Sequence, residues 1–243
     1  MGLSVIILAA GQGTRMRANL PKVLQPLAGR PMLGHVLETA VGLEAEDICV
    51  VYGHGGDAVP TEFPGPGIRW VLQAEQLGTG HAVQQAMPNT PHDNRVLILF
   101  GDVPLLTGAT LRRLLDTTPP GDVAVLTVEL DDPAGYGRIL RDGDNVVGIV
   151  EHKDATKGQR AISEINTGVM ATPAGTLAAW LDRLGNDNAQ GEYYLTDVIA
   201  MAVADGVAVR GVKANNWTEV MGINDKKQLA EAERALQAEV SRA

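Results

Sequence analysis

The sequence predicts an α/β fold: an open, mostly parallel mixed sheet flanked by helices, with an inserted lobe over the sheet's carboxyl edge. Three observations carry that expectation. Short β-branched runs alternate with helically spaced segments through the first 130 residues. Several of those runs are apolar on consecutive residues, as burial on both faces of a parallel sheet requires. After residue 130 the rhythm changes and hairpin-like segments begin.

In chain order, "SVIILAA" (4–10), "DICVVYG" (47–53), "IRWVLQ" (68–73), "RVLILFGD" (95–102) and "DVAVLTVEL" (122–130) read as strands. Between them "PMLGHVLETAVGL" (31–43), "GTGHAVQQAM" (78–87) and "TGATLRRLLD" (107–116) carry helical spacing, the last through Leu111, Leu114 and Leu115. Such alternation implies right-handed crossovers. "AVPTEFPGPG" (58–67) holds three prolines and two glycines, so little helix is expected there. "RILRDGDNVVGIVEHKD" reads as a hairpin turning at Asp142–Asn145. Strands follow at 166–172 and 206–213, and helices at 174–184 and 195–204. Near the end, Leu229, Leu236 and Val240 share one helical face amid charges. The reading is one domain over 1–243: a ligand-binding first part (1–130), a second part bearing the lobe (131–224) and a terminal helix (225–243).

With 243 residues and 45% hydrophobic content the chain can bury a substantial core. Its formal net charge of -9 argues against general affinity for nucleic acid or an anionic membrane. Cys49 is the single cysteine and lies in "ICVVY", so a buried, inert thiol is expected. No apolar stretch reaches membrane-spanning length and no basic leader precedes the first strand, which makes the cytoplasm the expected location.

The chemistry begins at "LAAGQGTRM", Leu8 to Met16. A loop leaving the first strand lies where ligands bind in open α/β sheets. Gly11 and Gly13 let backbone N–H groups approach phosphate oxygens, while Arg15 offers a fork of donors and Lys22 a compact charge. The loop is not a dinucleotide fingerprint, because Met16 stands at the third glycine and "VVYGHGG" ends without an acid. A Walker A motif is likewise absent. Asp102, at the end of "LILFGD", is placed to hold Mg2+ against a phosphate or else to begin a turn. Gln73 can accept from and donate to adjacent atoms of a uracil edge, and Gly78 and Thr79 open a helix beside it. Later strand ends carry Tyr136, Arg138, Glu151 and Asn166, with Glu151 suited to accept from sugar hydroxyls. In "GINDKKQ", Asn224 is an ideal N-cap and also a neutral oxygen ligand; local sequence favours the cap. The five histidines show no metal-ligand spacing, and His81 reads as packing at a helix start.

Together "LAAGQGTRMRANLPKVL", "QAEQLGTGHA", "FGDVPL", "DDPAGYGRI", "IVEHKDA", "EINTGVM" and "NAQGEYYLTDVI" resemble, in order, the bacterial N-acetylglucosamine-1-phosphate uridylyltransferases. The resemblance covers nearly the whole chain. It implies the Rossmann-like nucleotide-diphospho-sugar transferase fold, and transfer of a uridylyl group from UTP to N-acetylglucosamine 1-phosphate. It places UTP on Leu8, Ala9, Ala10, Gly11, Gly13 and Lys22, with Arg15, Lys22 and Asp102 in catalysis. It assigns uridine to Gln73, Gly78 and Thr79, nucleotide contacts to Phe100 and Gly101, and the N-acetylglucosamine moiety to Gly137, Glu151 and Asn166. It gives Mg2+ to Asp102 and Asn224, reversing the local preference for a cap.

Two departures stand out. Phe100 replaces the family's tyrosine in "YGD", removing a hydroxyl but not a stacking role. Nothing resembles the hexapeptide repeats that form the acetyltransferase β-helix and trimerise the bifunctional enzyme. The expectation is therefore a shortened form or a single-function relative, monomeric or weakly oligomeric, without acetyl transfer. The competing readings are a nucleotidyltransferase for another sugar phosphate and a non-catalytic nucleotide-sugar sensor.

Overall fold

The computed structural model describes residues 1–11, 13, 16 and 20–240, with side chains through Ala238. The first half runs β1 (Leu3–Ala9), β2 (Pro26–Leu27), β3 (Arg30–Pro31), α1 (Met32–Val41), β4 (Asp47–Tyr52), α2 (Ala58–Glu62), β5 (Arg69–Leu72), α3 (Thr79–Ala86), β6 (Arg95–Phe100), α4 (Gly108–Asp116) and β7 (Val123–Glu129). The second half adds β8 (Arg138–Asp142), β9 (Asn145–Val150), α5 (Lys157–Arg160), β10 (Glu164–Pro173), α6 (Ala174–Leu181), α7 (Asp197–Ala204), β11 (Val209–Lys213), α8 (Trp217–Val220) and α9 (Lys226–Val240).

The main sheet has the order β11-β7-β10-β6-β1-β4-β5. All its neighbours pair parallel except at β10, which runs antiparallel to both β7 and β6. The second half thus reaches the middle of the sheet, while the β8–β9 hairpin stands off its path, tied to β10 through Ile165 and Arg138. The hairpin turns between Asp142 and Asn145, as the sequence predicts.

Alternation along the strands builds a core on each face. On one face Val5, Ile7 and Ala9 of β1 pack with Leu97 and Leu99 of β6, under Leu33 and Val36 of α1 and Leu111 and Leu114 of α4. On the other, Ile6, Leu8, Val96 and Ile98 meet Val83 of α3, Leu177 and Trp180 of α6, and Val198 of α7. Side chains buried as fully as Leu111 and Leu114 contribute about 1.5–3 kcal/mol each. Cys49 is buried, and burial raises its thiol pKa to about 11, consistent with an inert group. A third cluster (Leu27, Met32, Met221, Ile223 and Ala232, flanked by Leu229 and Leu236) seats α9 against the start of α1.

One segment departs from expectation. A five-residue helix survives at Ala58–Glu62 because Pro60 falls in the first turn, where no intrahelical N–H is needed. Among the described residues, no helix is long and apolar enough to cross a membrane.

Candidate active site

Between β1 and β6 the sheet changes its direction of growth. The chain leaves β1 for α1 on one face and enters β6 from α3 on the other, which opens a crevice beyond the carboxyl ends. Ala10 and Gly11, which follow β1, line this crevice, and Asp102 leaves β6 into it. A one-turn helix at Lys22–Leu24, anchored by buried Val23 and Leu24, carries the lysine to the same place. There Lys22 Nζ donates to Asp102 Oδ2 and, at 2.9 Å, to Asn224 Oδ1, residues 80 and 202 positions away. Their side chains are largely withdrawn from solvent, so this ion pair is screened less than a surface one. Arg15 lies outside the described residues.

Asn224 is not the cap that local sequence favours. Asp225 takes that role: its Oδ1 accepts from Gln228 N at 2.9 Å, while Gln228 Oε1 accepts from Asn224 N at 2.7 Å. The Asn224 side chain is released toward Lys22, and Ile223 N donates to Asp102 O at 2.8 Å, joining the two segments. A carboxylate oxygen and an amide oxygen converge on one ammonium. That donor set suits a hard cation, since Mg2+ takes few protein oxygens and completes its shell with water and phosphate.

The crevice encloses a cavity of about 420 Å³ lined by Leu8, Ala9, Ala10, Gly11, Lys22, Gln73, Gly78, Thr79, Phe100 and Asp102, among others. A Cβ at Gly11 would meet nothing within 4 Å, so its open side faces the cavity and not a packed neighbour. Gly13 backs the lysine instead, its would-be Cβ 2.5 Å from Lys22 Cβ. Gly101 packs against Ala9, Val23 and Leu33 and donates its N–H to Leu8 O at 2.9 Å, so it shapes the wall from behind. Gln73 is buried, and its Nε2 donates to Gly78 O at 3.1 Å and lies 3.0 Å from His81 Nδ1. Both amide hydrogens then have partners within the protein when Nδ1 is the bare nitrogen of the His81 ring, which leaves Oε1 as the free acceptor of this side chain. Gly80 N–H, in the first turn of α3, is likewise taken by Tyr193 O at 2.8 Å.

A second cavity, about 220 Å³, adjoins the first and shares Thr79 and Phe100 with it. Gly137, Glu151 and Asn166 come together in its wall with Tyr136 and Thr196. The Phe100 ring lies against Gly168, where a Cβ would come within 2.5 Å of it, so glycine at 168 is what gives the ring room beside both cavities. Asn166 N donates to Gly137 O at 2.9 Å, and Asn166 Oδ1 accepts from Gly168 N at 3.0 Å beside a bulge in β10. Burial pushes the Glu151 carboxyl above its ordinary range, opposed by the 3.0 Å hydrogen bond from Thr196 Oγ1 and assisted by the carboxylates of Asp197, Asp154 and Glu192. Arg138 does not line this cavity. It is buried behind it and donates to Tyr136 O.

Sequence reasoning passed over Gln76 and Glu192 in the first cavity and Thr196 in the second. Their signals lay in "QAEQLGTGHA" and "NAQGEYYLTD", motifs that single out segments without assigning each side chain.

A glycine loop at the switch point of an open α/β sheet, facing an acid on the neighbouring strand, is the architecture of the nucleotidyltransferases. The solved structures agree on the fold. A Methanothermobacter nucleotidyl transferase (Mth528) superposes with a TM-score of 0.71 over 98% of both chains at 23% identity. A Bacillus anthracis protein described as a glucose-1-phosphate thymidylyltransferase does so with a TM-score of 0.76 over 96% of this chain and 94% of its own, at 20% identity. Residues 5–186 match the model of the MobA-like NTP transferase domain, and the chain belongs to that family. Curated relatives named "Bifunctional protein GlmU" are 58% identical over 97% of this chain (Alkalilimnicola ehrlichii) and 55% identical over 98% of it (Acinetobacter baumannii). The chain spans about half the length of these relatives, 51% and 52% respectively.

Proposed function

We propose that this chain is a uridylyltransferase that makes UDP-N-acetylglucosamine and pyrophosphate from UTP and N-acetylglucosamine 1-phosphate. The observation that carries the reading is the pair of adjoining cavities. One, lined by Leu8, Ala9, Ala10, Gly11 and Lys22, fits a nucleoside triphosphate; the other, smaller and bearing Glu151 and Asn166, fits a sugar; Phe100 and Thr79 belong to both walls. The likeness to the GlmU proteins supports the same substrates.

In the proposed reaction a phosphate oxygen of the sugar phosphate attacks the α-phosphorus of UTP. A new P–O bond forms, the α–β bridging bond breaks, and its electron pair leaves with pyrophosphate. The attacking phosphate is largely dianionic near neutral pH, its second pKa being about 6, so no strong general base is required. The obstacle is electrostatic, and a cation preorganised at the leaving phosphates lowers it. Lys22 supplies such a charge from the chain itself, and we assign Arg15 the same task. Asp102 and Asn224 would hold Mg2+, which supplies charge neutralisation on the triphosphate when bound. Gln73 would accept from the base, and Glu151 and Asn166 would bind the sugar.

Glu151 makes the reading testable through pH. Its carboxyl is raised in the folded state, so the native protein holds a proton that the unfolded chain has already released. That contribution to stability is present below the ordinary glutamate range and is lost as pH rises through the raised folded value. Glu151→Gln is therefore expected to leave Tm unchanged in acid and to raise it near neutrality, read by calorimetry across that range. The same variant should raise KM for the sugar phosphate about ten- to a hundredfold, the loss of a charged acceptor.

The deciding experiment is a turnover panel of nucleoside triphosphates against sugar 1-phosphates, with pyrophosphate release read with and without Mg2+. UTP with N-acetylglucosamine 1-phosphate is expected to be the fastest pair. A different fastest pair would reassign the substrates. Tight UDP-sugar binding without turnover would favour a sensor.

A further inference from the structure

We propose that His81 sets the base preference of the nucleotide cavity by holding the Gln73 amide with its oxygen toward the base, an inference that rests on the uridylyl-transfer reading. Gln73 is 3% exposed and stands in the cavity wall, so its amide depends on protein partners and on whatever fills the cavity. Its nitrogen lies 3.1 Å from Gly78 O, an atom that can only accept. The nitrogen and not the oxygen must face that carbonyl, which leaves one N–H to place. His81 Nδ1 receives it at 3.0 Å. A ring nitrogen accepts only when it is bare, so this arrangement needs a neutral ring with its proton on Nε2. The Gln85 amide, whose nitrogen lies 3.1 Å from Nε2, then has to turn its oxygen to that N–H and give up the longer 3.4 Å contact of its nitrogen with His81 O.

The ring is itself held firmly. His81 is the third residue of α3, a helix seated on the sheet by buried Ala82, Val83 and Ala86 and pinned at its start by the 2.8 Å bond from Gly80 N to Tyr193 O. With both donors spent, Gln73 offers a base only Oε1, which has no hydrogen-bond donor among the described residues. The N3–H of uracil satisfies it. Cytosine presents a bare N3 lone pair at the same position, and two opposed acceptors in a withdrawn site are costly. Thymine shares the uracil edge, so this device separates UTP from CTP and leaves thymidine nucleotides to contacts elsewhere.

The test is equilibrium binding of UTP and CTP with Mg2+ by calorimetry. In His81→Leu the affinity for UTP is expected to fall about tenfold and that for CTP by no more than about twofold, so the preference drops several-fold. His81→Asn retains an acceptor near the place of Nδ1 and should keep most of the preference. Gln73→Leu should lose the preference, and adding His81→Leu to it should lose nothing more, because the histidine acts only through the glutamine. Equal losses for UTP and CTP in His81→Leu, as a loosened pocket would give, overturn the assignment. So does an asparagine variant indistinguishable from leucine, or a parent protein that binds both nucleotides alike. A parent that prefers UTP but releases no pyrophosphate with any sugar phosphate strikes the transfer reading alone, and the binding arms still decide the role of His81.

Discussion

Replacing Asp102 by asparagine should lower kcat/KM for nucleotidyl transfer by about 10²–10³-fold, or roughly 3–4 kcal/mol of transition-state stabilisation, while leaving the fold intact. The substitution preserves shape, and an amide oxygen can still accept from Lys22 Nζ as the carboxylate does. What disappears is the negative charge that faces Lys22 and that the proposed Mg2+ would need. Backbone geometry around residue 102 does not depend on that charge, because Ile223 N bonds to the Asp102 carbonyl and not to its side chain. The Mg2+ concentration needed for half-maximal rate should rise, and Tm by calorimetry should move by only a few degrees. Turnover within tenfold of the parent at every Mg2+ concentration would remove Asp102 from the catalytic machinery.

The largest effect on stability is expected at Gly78. Its backbone stands at φ 115 and ψ 174, a region that essentially only glycine occupies. A Cβ there would lie 2.6 Å from Tyr193 O and 2.9 Å from Tyr193 N, both backbone atoms that cannot swing aside. Gly78→Ala therefore adds strain and overpacking, together about 3–5 kcal/mol, and should lower Tm by roughly 6–15 °C. Nucleotide affinity should fall with it, since the Gly78 carbonyl orients Gln73. Gly121→Ala is the control: its Cβ would meet nothing within 4 Å, and Tm should stay within about a degree or two.

Much of this was legible in the chain before folding. Consecutive apolar residues in β1, β4 and β6 announce a sheet covered on both sides, and both faces are filled. The glycine loop and Asp102 follow strands directly, so strand order alone brings them to one crevice. Other features were hidden for physical reasons. A strand's residue pattern carries no direction, so nothing in "NTGVMAT" says that β10 runs against its neighbours in the middle of the sheet. Hydrogen-bond donors are shared out only when segments meet, so the commitment of both Gln73 donors to Gly78 and His81 was not readable from "LQAEQLGTGHA". Capping went the same way: Asn224 and Asp225 are adjacent capping types, and only packing of α9 onto Met32 and Leu27 shows which one the helix uses.

What the chain determines alone is therefore local and periodic: where strands lie, which faces are apolar, where backbone turns demand glycine, and which residue types stand at strand ends. Those follow from side-chain chemistry and the two backbone periods. What needs the folded molecule is every relation across large separations, such as Lys22 meeting Asp102 and Asn224, or Glu151 losing its solvent to Thr196 and the carboxylates around it. Burial and proximity exist only after the sheet has closed over its two cores, and they convert ordinary charged and polar residues into a site.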